Sequence, residues 1–171
     1  MQKLIRSAAL VALALVAGAW TAFADSGNDE KDAKDEKKAE TITLADLPAA
    51  VRATIDKEIP GAKIEKIEKE EDKGKVLYDI EAEFKDEDVE MDIAADGKVL
   101  TREDSVEFST LPAVIRAAAE KYFGKSSDLE AHKEVEFEKK ETFYEIEGKK
   151  DGHKVTLKYA EDGKQVEEEK E

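Results

Sequence analysis

One short pattern occurs twice in this chain, and that repetition limits its folding choices more than any other feature. "LPAAVRATIDKEIPG" at 47–61 and "LPAVIRAAAEKYFGK" at 111–125 both open on Leu-Pro and close at a glycine. On a helical wheel Leu47, Val51, Ile55 and Ile59 form a single stripe, and so do Leu111, Ile115, Ala118 or Ala119, and Tyr122. Each stretch therefore predicts an amphipathic helix. Proline suits the start, because the first-turn N–H has no intrahelical partner to lose. Asp46 and Thr110 are the predicted cap residues, and Gly61 and Gly124 the predicted stops.

The segments after each helix match as well. "VLYDIEAEF" (76–84) alternates Val76, Tyr78, Ile80, Ala82 and Phe84 with Leu77, Asp79, Glu81 and Glu83, which is the period of a half-buried strand. Its counterpart is "TFYEIEG", carrying Tyr144 and Ile146. Next come "VEMDI", with Val89, Met91 and Ile93 inward, and "VTLKY", with Val155, Leu157 and Tyr159 inward. Both copies then turn on Asp-Gly, a strong hairpin signal since glycine tolerates positive φ. A first strand is expected at about 62–70 and again at about 129–138. Leu129, Ala131, Val135 and Phe137 alternate cleanly there, whereas Ile64 and Ile67 are out of phase and predict a bulge.

The offset between copies is 64 residues at Leu-Pro, 63 at the helix-ending glycine, and 66 from Tyr78/Tyr144 through Gly97/Gly163. Insertions thus fall between elements. The predicted fold class is α+β: two tandem α-β-β-β(-β) units with both helices on one face of antiparallel sheet. A unit of about 65 residues buries too little surface to be robust alone. The two are expected to share a core or join into one sheet, with "TREDSVEFS" (101–109) as the connection, and independent units are the alternative.

Leu-Pro-x-x-Val/Ile-Arg opening a short helix, then Tyr-Asp/Glu-Ile-Glu, then Asp-Gly-Lys before a last strand, resembles the PepSY-like domain, a family also described as β-lactamase-inhibitor-like. The likeness covers nearly all of 41–168. It implies exported modules of helix plus antiparallel sheet that bind or restrain extracytoplasmic enzymes through the open sheet face, with no catalytic residues to carry over. This chain departs from the inhibitors in having no cysteine, and none of its residues matches their contact sets.

The N-terminus reads differently. Lys3 and Arg6 precede an apolar stretch from about Ala8 to Trp20, followed by Ala22-Phe23-Ala24, the pattern of a signal peptide over 1–24. Cleavage after Ala24 leaves 147 of 171 residues, and loss of Lys3 and Arg6 moves the formal charge from −15 to −17. The expected location is exported, periplasmic or secreted, without a membrane anchor after cleavage. Residues 25–40 mix both charges and carry no large apolar side chain, so a flexible leader is expected. Units 1 and 2 are then assigned to 41–104 and 105–171.

Strong negative charge disfavours nucleic acid and anionic lipid, and favours cationic partners. Catalytic patterns are missing from the sequence. It has no Cys, no H-x-x-x-H or H-E-x-x-H, no G-x-S-x-G and no phosphate loop. His132 and His153 are both expected on the surface, so no enzyme and no cofactor is predicted.

One asymmetry between the copies stands out. Asp79, Glu81 and Glu83 on one predicted strand and Asp88, Glu90 and Asp92 on the next all point away from the helices. Like charges opposed across strands destabilise by roughly 0.2–1 kcal/mol per pair. The second copy has Glu145 and Glu147 facing Lys154, Thr156 and Lys158 instead. These six carboxylates are the candidate binding residues, with Lys63, Lys66 or Lys69 as nearby relief. The expected partner is a protein or cationic peptide of the cell envelope; loosely held Ca²⁺ at the same face, as a buffer or sensor, is the alternative.

Overall fold

The computed structural model describes residues 38–72, 75–124 and 128–170. The expected signal peptide, and the leader as far as residue 37, lie outside them. The chain runs β1 (Lys38–Thr41), a 3-10 turn (Leu44–Asp46), α1 (Ala49–Glu58), β2 (Lys63–Asp72), β3 (Lys75–Phe84), β4 (Glu87–Ala94) and β5 (Val99–Ser105). A second 3-10 turn (Phe108–Thr110) then leads to α2 (Ala113–Phe123), β6 (Glu130–Glu136), β7 (Glu141–Lys150), β8 (His153–Ala160) and β9 (Gln165–Lys170). The nine strands of the described residues form one antiparallel sheet in chain order. The helices lie in the β1–β2 and β5–β6 connections.

Both helices begin where the prolines indicate, but their caps differ from expectation. Pro48 and Pro112 occupy the N-cap positions, and neither helix has a side-chain cap hydrogen bond. Asp46 instead accepts from the Thr43 N–H (3.0 Å) and hydroxyl (2.6 Å), closing the preceding 3-10 turn. The Thr110 hydroxyl donates to the Glu107 carbonyl, 2.7 Å away. Each proline lacks an N–H, so the orphan donors that a cap would satisfy are one fewer, and the short turn takes the polar residues. Gly124 does close α2, at φ 83°.

Burial follows the stripes. Leu47, Val51, Ile55 and Ile59 pack on Ile67, Tyr78, Ile80, Met91 and Ile93 in one cluster. Leu111, Ile115 and Ala119 pack on Ala131, Ile146, Val155, Leu157 and Tyr159 in another. Burying each large aliphatic side chain is worth roughly 1.5–3 kcal/mol, so each cluster is the main support of its half. The pairings Met91↔Arg102 and Arg102↔Val135 carry one face across the middle of the sheet, which puts both clusters and both helices on the same side. The hairpin tips tuck beneath the helices. Thr54 donates to the Gly97 carbonyl at 2.6 Å, and a Cβ added at Gly163 would lie 2.6 Å from Val114 Cγ2.

The two sheets are therefore joined, but the apolar cores are not merged. At the seam the helix side carries Arg102, which donates to both carboxylate oxygens of Asp104 (2.6 and 2.8 Å), and Phe137, which is 46% exposed. Backbone bonds between β5 and β6 hold the halves together.

Two boundaries differ from the sequence reading. Lys38, Ala39 and Glu40, assigned to the leader, pair with Glu71, Glu70 and Lys69 as β1. An edge strand needs backbone partners more than apolar side chains, so charge did not reveal it. Thr101–Ser105, read as connection, is five of the seven residues of β5. Its paired charges on both faces conceal the period-two signal. The predicted bulge is present, as a register shift between Ile64 and Lys66.

Candidate functional site

The candidate surface is the sheet face opposite the helices. Its register is set by the β3–β4 turn, where Lys85 and Asp86 take φ 58° and 67° and leave Phe84 opposite Glu87. A tight turn of this kind fixes every pair that follows. Asp79 thus stands opposite Asp92, Glu81 opposite Glu90, and Glu83 opposite Asp88. All six carboxylates that alternation placed on this face are brought together there.

The row extends further than the sequence suggested. Glu90 also faces Glu103 on β5, and Glu103 faces Glu134 on β6. Four glutamates, Glu81, Glu90, Glu103 and Glu134, thus lie directly across from one another on four adjacent strands. Glu103 and Glu134 were missed because β5 read as a connector. The signal that could have found them is the outward alternation of Glu103 with Ser105 and of His132 with Glu134.

Cations reach the two ends of this row. Lys66 lies 3.2 Å from Glu81 and 2.9 Å from Glu68, and Glu81 is only 6% exposed. Lys63 is 3.9 Å from Glu83, while Lys69, opposite Tyr78 and Glu40, is on the helix side. At the far end Lys158 contacts Glu134 and lies 3.1 Å from Glu145. Burial works against the Lys158 charge, but its carboxylate partners win and hold its pKa above the usual lysine range.

The centre is different. Burial, then the charges of Asp79, Glu103, Asp92 and Glu81, push Glu90 up to about 9. Burial, then Asp92 and Glu81, push Asp79 up to about 7, with Lys66 opposing. Asp79 Oδ1 is buried without a hydrogen-bond partner among the described residues. Asp92 accepts a short hydrogen bond from Thr101. At the positions matching Asp88, Glu90 and Asp92, β8 carries Lys154, Thr156 and Lys158, and Lys154 lies 3.1 Å from Glu147.

His153 is exposed beside the Asp151–Gly152 turn, as expected. His132 is half-buried on the open face, where its Nδ1 lies 3.3 Å from Glu103 and 3.4 Å from the Ser105 hydroxyl. That Ser–His–Glu cluster was not anticipated. A nucleophile relay places the hydroxyl and the carboxylate on opposite ring nitrogens. Here both address the same one, so the arrangement is a hydrogen-bonded surface group rather than a relay.

A family model described as "Putative beta-lactamase-inhibitor-like, PepSY-like" matches residues 18–101 and again 99–166. The chain belongs to the PepSY-like family. No curated protein matches it. Among solved structures, this PepSY-like chain is similar to a BLIP-like protein from Bacteroides fragilis NCTC 9343, with 21% identity, a TM-score of 0.52, and coverage of 72% of this chain and 86% of that one. It is also similar to a protein from Bacteroides eggerthii DSM 20697 described as periplasmic, with 16% identity, TM-score 0.57, and coverage of 72% and 88%. A DUF2874 family protein from Bacteroides uniformis ATCC 8492 aligns at 13% identity and TM-score 0.55, covering 72% and 89%. At these identities the likeness is one of fold. Among the described residues, no helix of this PepSY-like protein is long and apolar enough to cross a membrane.

Proposed function

We propose that this PepSY-like protein is an exported, non-catalytic binding module whose open sheet face docks on a basic surface of an extracytoplasmic enzyme and occludes it. The observation that carries the reading is the in-register carboxylate array on β3, β4 and β5, set against the charge-balanced equivalent on β7 and β8. Stability alone favours the second arrangement. A face that retains the first is suited to meet positive charge from outside, and charge complementarity of this sort speeds and selects encounter. The BLIP-like description of one neighbour of similar fold agrees with inhibition as the outcome.

A divalent cation is the second reading, since carboxylate oxygens of Glu103, Glu134 and Glu145 lie within 4.8 Å of one another. The Lys158 ammonium already contacts two of the three, which favours a cationic side chain over Ca²⁺.

The decisive variant copies β8 onto β4: Asp88→Lys, Glu90→Thr and Asp92→Lys together. The second repeat already folds with this pattern, so the variant is expected to be at least as stable as the parent. Capture of an envelope enzyme by the parent, inhibition of that enzyme's activity, and loss of both in the variant are the expected results. Equal capture and equal inhibition by the two proteins would remove the open face from the mechanism. Millimolar Ca²⁺ raising the unfolding midpoint above that at matched ionic strength, in the parent alone, would favour the cation reading.

A further inference from the structure

The centre of the open face has more carboxylates than it can ionise together. Glu90 faces Glu81 directly on β3, with Asp79 and Glu83 on the diagonals. On β5 it faces Glu103, with Thr101 diagonal, and on its own strand Asp88 and Asp92 lie two residues to either side. Ammonium groups reach only the flanks of this cluster: Lys66 lies on Glu68 and Glu81, and Lys158 on Glu134 and Glu145. His132 adjoins Glu103 at 3.3 Å. When carboxylates share a half-buried site, the lowest-energy arrangement keeps one or more of them protonated.

The second repeat shows the other solution to the same problem. Where β4 has Glu90 and Asp92, β8 has Thr156 and Lys158, and the Lys158 ammonium sits between Glu134 and Glu145. An ammonium there does what a bound proton must do in the first repeat.

Building on the docking reading above, we propose that the carboxylate cluster centred on Glu90, with Asp79 and Asp92 beside it, holds at least one proton at neutral pH, and that a cationic side chain docks by displacing it. Docking is then proton-linked. Affinity rises as pH rises, by about tenfold per pH unit for each proton released, until the cluster is fully ionised. The direction is the reverse of what a histidine-based contact to an acidic surface would give. An acidic compartment would thus release the partner, and a neutral one retain it.

Two measurements on the full mature chain test this. Carboxyl carbon NMR across a pH titration reads the proton directly: Glu90 or Asp79 is expected to titrate more than two pH units above the ordinary carboxylate value of about 4. Both titrating near that value would overturn the proposal, whatever binds to the face. Calorimetry with oligolysine as the probe, in phosphate and in Tris at pH 7, counts the protons released on docking. About one proton is expected for the parent and close to none for Glu90→Gln. Oligolysine binding with equal heat in both buffers would overturn the coupling and leave the docking reading standing. If the carboxyls are raised and oligolysine binds at no pH, it is the docking reading that fails, and the coupling with it.

Discussion

Moving the buffer from pH 7.5 to pH 5.5 is expected to stabilise this protein, and by more than relief of its net negative charge alone would give. Glu90 is raised to about 9 by burial first and by its carboxylate neighbours second, and Asp79 to about 7. In the unfolded chain both ionise near 4. Between those values the folded state binds protons that the unfolded state has lost, so the contribution of these two groups to stability is greatest below about pH 4 and falls with every step upward. One proton amounts to about 1.4 kcal/mol per pH unit, so the two units correspond to roughly 3 kcal/mol. For roughly 130 folded residues this is a rise of about 10 °C in Tm on acidification. The groups with lowered values, Asp46, Glu138 and Glu168, are exposed and weaken the fold only on titration below the ordinary carboxylate range, outside the window. The assay is thermal unfolding by circular dichroism at constant ionic strength, with Glu90→Gln alongside. The variant is expected to lose most of the pH slope and to be the more stable of the two at pH 7.5. A parent slope of zero, or an unchanged slope in Glu90→Gln, would refute the reasoning.

Asp92→Lys alone should raise stability at pH 7.5 by roughly 1 kcal/mol, by setting an ammonium opposite Asp79 as Lys158 stands opposite Glu145; urea unfolding measures it. Lys158→Ala leaves the nearly buried Glu134 without its ammonium and is expected to lower stability by about 3 kcal/mol at pH 7.5, with part regained at pH 5 as the carboxyl protonates. Gly163→Ala combines a positive φ of 86° with a Cβ 2.6 Å from Val114, so a loss of about 1–3 kcal/mol is expected, and Val114→Ala in the same chain should recover the packing part only. The same urea titrations read both.

The elements whose burial the sequence advertises are the ones found where expected. Leu47, Val51, Ile55 and Ile59, and the alternation through Tyr78 and Ile80, carry period and polarity together, so the helix stripes and the inward faces of β3, β4, β7 and β8 were all legible. Tyr78 and Tyr144 sit at matching places, opposite Ile93 and Tyr159. Three things were not legible. β1 is held by backbone bonds that Lys38–Thr41 does not announce. β5 carries charge on both faces, because Arg102 and Asp104 neutralise each other on the helix side. Asp46 and Thr110 look like helix caps by spacing, and only the intervening 3-10 turns redirect them. The extension of the acidic row to Glu103 and Glu134 was hidden for the same reason as β5. Six carboxylates of the face, Glu81 and Glu90 of this row among them, could be named from alternation, but how far a row runs across a sheet depends on which strands become neighbours.

The strand order leaves β1 and β9 at the two margins of the sheet, and all six residues of β9 are exposed, with Glu167, Glu168 and Glu169 in succession. An open margin is a template on which another chain could add itself, strand by strand, into a fibre. A second copy aligned along β9 would bring Glu167, Glu168 and Glu169 against the like charges of its neighbour. The charged margin at β9 therefore discourages edge-to-edge addition of further copies.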